Sequence, residues 1–164
     1  MTDGRQTVLD ATAGMPERRL EAGERLFALG DGGDHTVAVL VEGVLSVDLG
    51  PTHLHDIDAP GTFLGEIGAL LEIARTADVS ARTPALVRVI GDPDTFFASH
   101  PEIGLELSRQ LAGRIQRLTS YLGDIRTQYA DSEGHLSLVD SVLGRIASRP
   151  PVEIEAGSER SPDY

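Results

Sequence analysis

The chain has 164 residues, 40% hydrophobic and 24% charged, which fits one soluble domain with an appendage. A net charge of −12 with its basic residues scattered among acids argues against a nucleic-acid partner. The absence of cysteine excludes disulfides, thiolate metal sites and thiol nucleophiles, and no apolar run suits a membrane span or signal peptide, so a cytoplasmic setting is expected.

Residues 1–16 show little periodicity and are expected to be a short or frayed lead-in. From Arg18 to Ile90 glycines and prolines divide the chain into pieces of strand length. His35 to Leu40 and Val44 to Leu49 are rich in Val and Leu, as buried or half-buried strands are, and Val79 to Ile90 carries a further pair broken near Thr83-Pro84. Regular short strands of this kind predict an antiparallel sandwich or barrel over residues 17–100.

The pattern changes at Asp92-Pro93-Asp94, which opens a short helix through Phe96 and Phe97. His100-Pro101 starts a long helix, with proline in a favourable first position. Along it Leu111, Ile115, Leu118, Leu122, Ile125 and Tyr129 follow spacings of 4, 3, 4, 3 and 4, a heptad seam suited to a homodimer. A helix packed on its own β-domain needs a similar stripe, so both uses stay open. Ser137 to Asp140 looks like a capping box for a last helix within 101–149, and residues 150–164 are expected to be a disordered acidic tail.

The segment with the most chemistry is Phe63-Leu64-Gly65-Glu66-Ile67-Gly68-Ala69-Leu70, followed by Arg75-Thr76-Ala77. Gly65 allows close backbone approach, and Glu66 at the start of a short helix can accept a hydrogen bond from a sugar hydroxyl. The helix amides beside Ile67 and Gly68 and the planar fork of Arg75, nine residues after Glu66, suit a phosphate. By residue type alone, the same Glu and Arg could equally form a surface ion pair.

This segment resembles the phosphate-binding cassette of the cyclic-nucleotide-binding domain family, as found in catabolite-activator-type regulators and kinase regulatory subunits. The family pattern is Phe-Gly-Glu-aliphatic-small-Leu, then Arg-Ser/Thr/Ala-Ala; one extra residue, Leu64, stands here between Phe63 and Gly65. Arg19 to Asp31 look like the opening strands, Val41-Glu42-Gly43 and Ala59-Pro60-Gly61 occupy expected places, and His100-Pro101 matches the usual helix start. The likeness spans residues 17–125.

The resemblance implies a mainly β fold, a jelly-roll barrel with C-terminal helices, and a non-enzymatic sensor for cyclic AMP or cyclic GMP. It places the ribose 2′-hydroxyl at Glu66 and the cyclic phosphate at Arg75, with Gly65, Ile67, Gly68 and Thr76 completing the cradle. Tyr121 or Tyr129 could stack on the base, although either could equally be a seam residue. No cofactor other than the nucleotide ligand is implied, and the protein partner is unknown. The basic helix-turn-helix of the transcription factors is not expected, since only about 35 residues follow Ile125. Leu71 to Ala74 also lack the glycine or proline that usually turns the chain before the Arg.

Two other readings are weighed. A barrel that binds no nucleotide would be an interaction scaffold using its helical face. His53-x-His55, with Asp56 and Asp58 nearby, has the spacing of a cupin metal site, but the partner motifs of such an enzyme are missing, so solvated strand histidines and no metal are expected.

Overall fold

A computed structural model of the chain describes residues 4–32, 34–128 and 144. The predicted last helix (Gly144 apart), the acidic tail and Tyr129 lie outside the described residues. The chain divides into two compact units, Met1–Ala112 and Gly113–Tyr164.

Among its described residues the first unit contains eight strands: β1 (Glu17–Leu20), β2 (Arg25–Phe27), β3 (Val37–Glu42), β4 (Leu45–Leu49), β5 (Thr52–Ile57), β6 (Phe63–Leu64), β7 (Asp78–Ala81) and β8 (Ala85–Ile90). They form two antiparallel four-stranded sheets, ordered β1-β8-β3-β6 and β2-β7-β4-β5. This is the antiparallel sandwich that the strand spacing predicted and the mainly β, jelly-roll arrangement that the resemblance implied. Gly43 makes the β3–β4 turn at φ 92, where an added Cβ would also run into the Pro84 carbonyl, so glycine is required twice over.

The alternation of side chains along each strand sorts the core into two layers. Leu20, Phe27, Leu40, Leu45, Leu64, Val79 and Val87 come from both sheets and fill the space between them. Val37, Val39, Phe63 and Ile90 point from the first sheet to its other face, where helices cover them. The first sheet is therefore buried on both sides, which explains the unbroken apolar run of β3, buried from Val37 through Leu40. The two-residue strand β6 shows the same sorting: Phe63 faces the helices and Leu64, the extra residue of the cassette, faces the barrel interior.

Among the described residues the helices are α1 (Gly4–Ala11), α2 (Glu66–Leu71), α3 (Pro93–Ser99) and α4 (Pro101–Gln128). Asp92 caps α3 by accepting a hydrogen bond from the Thr95 amide at 3.1 Å, and Pro93 occupies its first turn. His100 ends α3, stacked on Phe96 with centroids 4.6 Å apart, and Pro101 begins α4. Phe96, Ile103 and Leu107 then close the helical side of the core.

The lead-in differs from its expectation. Residues 4–11 form a helix whose Val8 is fully buried against β3, β6 and α4. Arg88 on β8 donates to the Leu9 carbonyl at 2.8 Å, tying the end of this helix to the sheet. Local periodicity did not reveal it because one buried valine and the long-range Arg88 contact hold it in place.

Seam positions in α4 do not share one environment. Leu111 packs partly buried on the helical side of the core, whereas Ile115 and Leu118, in the second unit, are more than half exposed at 57% and 51%.

Candidate functional site

The cassette is built where β6 hands the chain to α2. Gly65 caps the helix with φ 77 and ψ 3, a left-handed conformation that glycine adopts without steric cost. An added Cβ there would lie 2.5 Å from Nη1 of Arg75 and 2.8 Å from the Phe27 ring, so the position is closed to any side chain. Glu66 follows as the first residue of α2 and is 2% exposed. Gly68 is buried under the returning chain: an added Cβ would lie 3.2 Å from the Ile73 carbonyl oxygen, and the Ile73 amide donates to the Gly68 carbonyl at 3.1 Å.

The return to Arg75 is made without the usual glycine or proline. Glu72 adopts φ 52 and ψ 41, the described non-glycine residue at positive φ, and its amide donates back to the Ala69 carbonyl. Ile73 in this loop is 44% exposed, as Ile67, Leu70 and Leu71 of α2 are exposed before it.

Arg75 is 5% exposed, and its guanidinium is held from four directions. Nη1 donates to the Gly65 carbonyl at 2.9 Å, and Nη2 donates to the Thr36 carbonyl at 2.9 Å and to Asp34 Oδ1 at 2.5 Å. Thr36 Oγ1 lies 3.2 Å from the same nitrogen, and the Phe27 ring stacks under the guanidinium with its centroid 3.9 Å away. The Arg75 backbone is paired as well: its amide donates to the Asp31 carbonyl and its carbonyl accepts from the Gly30 amide. With Glu66 and Arg75 both buried, the surface ion-pair alternative does not hold.

A cavity of about 330 Å³ opens beside this cluster, lined by Leu26, Phe27, Asp31, Gly32, Asp34 and Arg75. Burial pushes the Asp34 carboxyl up, but hydrogen bonds from the Thr36 hydroxyl and amide, with the Arg75 charge, outweigh it and hold the group below the usual carboxylate range. Asp34, Thr36 and Phe27 were not singled out from the sequence. The Asp34-x-Thr36 spacing of a side-chain-closed turn was the available signal, and it becomes informative only once Arg75 is seen beside it.

The remaining predicted residues are placed as follows. Ile67 and Thr76 are exposed at the two ends of the cassette, and Tyr121 is 63% exposed in the second unit. His53 and His55 are exposed on β5; His53 Nδ1 lies 2.9 Å from Asp48 Oδ1 and its Nε2 is 3.5 Å from Asp56. Among the described residues no group of three His, Asp or Glu side chains is placed to hold a metal ion.

Residues 17–96 match the family model of the cyclic nucleotide-binding domain. All eight described strands lie within that match. The matched residues also include the segment between β6 and β7 and the start of α3. Among solved structures, the chain is similar to one from a cyclic-GMP-dependent signalling pathway that regulates bacterial phytopathogenesis, with 25% identity and a TM-score of 0.56 over 71% of this chain and 95% of that one. It shares its fold with the catabolite activator protein of Thermus thermophilus, at 20% identity and a TM-score of 0.60, over 73% of this chain and 59% of that one. PKAR CBD2 bound to Sp-2Cl-cAMPS is a third fold relative, at 21% identity and a TM-score of 0.55, over 75% of this chain and 80% of that one. No curated protein matches the chain.

Proposed function

We propose that the chain is a non-enzymatic sensor that binds cyclic AMP or cyclic GMP in the cassette and passes occupancy on through its C-terminal helices. One observation carries the reading. Glu66 and Arg75 are both buried, and Arg75 donates to the carbonyl of Gly65 at the turn just before Glu66. In that turn Glu66 takes the ribose 2′-hydroxyl and Arg75 the cyclic phosphate. Backbone groups of Gly65, Ile67, Gly68 and Thr76 supply the remaining contacts. A carboxylate that hydrogen-bonds a sugar hydroxyl favours ligands that carry one, because a ligand without it forgoes that bond.

The family match supports this reading, as do the cyclic-GMP pathway of one relative and the cyclic-AMP analogue bound to another. In the proposed mechanism ligand favours one of two positions of the helical segment, a population shift that exposes or hides a surface for a protein partner or a second copy. The exposed Ile115 and Leu118 are the residues offered to a homodimer seam.

Calorimetric titration with cyclic AMP and cyclic GMP tests the proposal, with Arg75→Ala and Glu66→Gln as controls. Binding in the micromolar range, lost in Arg75→Ala and weakened in Glu66→Gln, is the expected result. The scaffold reading draws on a specific observation too, since both Nη atoms of Arg75 already donate to protein acceptors. It predicts no heat with either nucleotide and a partner that Arg75→Ala still binds. Hydrogen exchange in α4 checks the coupling, which fails if saturating nucleotide leaves that helix unchanged.

A further inference from the structure

Resting on the reading of Arg75 as the phosphate ligand, we infer that Asp34 occupies the Arg75 fork in competition with the nucleotide phosphate and thereby sets the affinity of the site. Nη2 of Arg75 carries two N–H groups, yet three oxygens lie within hydrogen-bond distance of it: Asp34 Oδ1, the Thr36 carbonyl and Thr36 Oγ1. One N–H of Nη1 goes to the Gly65 carbonyl, Phe27 covers one face of the guanidinium, and both bidentate edges of the fork, Nη1 with Nη2 and Nε with Nη2, need an N–H of Nη2. A phosphate arriving from the cavity therefore finds no vacant pair of donors on this side of the fork. To obtain the bidentate contact that Arg gives to phosphate, it has to displace an acceptor.

Of the acceptors, Asp34 is the one that can leave. The carbonyls of Gly65 and Thr36 are backbone groups held by β6, α2 and β3, and burying them unpaired is costly. The Asp34 side chain is 61% exposed while that of Arg75 is 4% exposed, so a released carboxylate meets water at once. It is also the charged member of the set, and an anion brought to the same guanidinium is repelled by it as long as it stays. Asp34 is thus a resident substitute for the ligand's negative charge. It keeps a buried cation neutralised in the empty protein and weakens any phosphate that takes its place.

The test is titration of wild type, Asp34→Asn and Asp34→Ala with cyclic AMP and cyclic GMP. Asparagine keeps an oxygen for the Thr36 amide and hydroxyl, so the turn stays closed while the charge is removed. Competition predicts affinity about five- to tenfold tighter in Asp34→Asn, the scale of one partly solvated like-charge contact. The gain should shrink at high salt and vanish when Arg75→Ala is added to Asp34→Asn. Equal or weaker binding in both Asp34 variants, with wild type binding normally, overturns the inference and makes Asp34 a residue that positions Arg75. Absence of binding in wild type and Asp34→Asn alike overturns the cassette reading itself, and the competition with it.

Discussion

Nη1 of Arg75 donates to the carbonyl of Gly65 at 2.9 Å, and a Cβ at Gly65 would stand 2.5 Å from that same nitrogen. The glycine and the arginine are therefore one device: the absent side chain is what lets the cation reach the backbone ahead of Glu66. Replacing Gly65 by Ala combines a left-handed backbone cost with a collision against Arg75 and Phe27. We expect a loss of about 2–4 kcal/mol, read as a lowered midpoint in urea with an unchanged slope. A loss below about 1 kcal/mol would show that Arg75 moves aside freely and that the turn is not rigid.

Glu72 stores strain of the opposite kind. At φ 52 and ψ 41 it caps α2 in a conformation that suits glycine, and it is exposed, so its side chain gains little in return. Glu72→Gly should stabilise the protein by roughly 0.5–1 kcal/mol, the left-handed penalty less the entropy of a new glycine. Thermal melting checks this: a midpoint raised by a few degrees is expected, and a lowered one would mean that Glu72 has a bond worth more than the strain.

The lead-in helix is expected to contribute to stability. Val8 is fully buried among Val37, Val39, Phe63 and Ile103, and truncation leaves a cavity between α1 and the sheet. Val8→Ala should cost about 2 kcal/mol in chemical denaturation. If the loss stayed within experimental error, α1 would be a docked ornament rather than part of the core.

Acid stability reports on Asp34. Its folded carboxyl is held below the unfolded value of 3.8, so the unfolded chain binds the proton more readily. The stability this supplies is present above the unfolded value and is lost as pH falls through it toward the lower folded value. Asp34→Asn should therefore flatten the fall in stability below about pH 5 that Asp34 contributes to in wild type. Identical pH profiles for the two proteins would show that the carboxylate titrates alike in both states.

What could be read from the sequence depended on how local the cause was. Glycine-punctuated strands, the Asp92-Pro93 start of α3, the His100-Pro101 break and the Gly65-Glu66 turn are set within a few residues of themselves, and the structure bears them out. The helix at Gly4–Ala11 was missed because its burial is supplied by β3, β6 and α4. Whether α4's stripe served its own domain or a partner could not be read from spacing either, and the structure divides it, with Leu111 in the core and Ile115 and Leu118 exposed.

The same distinction runs through the site. Gly65, Glu66 and Arg75 sit close along the chain, so their residue types alone marked the cassette as a candidate anion and sugar site. The surroundings of Arg75 were decided elsewhere: Asp34 and Thr36 arrive from 41 and 39 residues away, and Phe27 from the other sheet. Strand alternation can say which side chains share a face, but which strands become neighbours is settled only when the two sheets close over their common core. That closure brings a carboxylate to the one buried arginine of the cassette, and no reading of either segment by itself contains it.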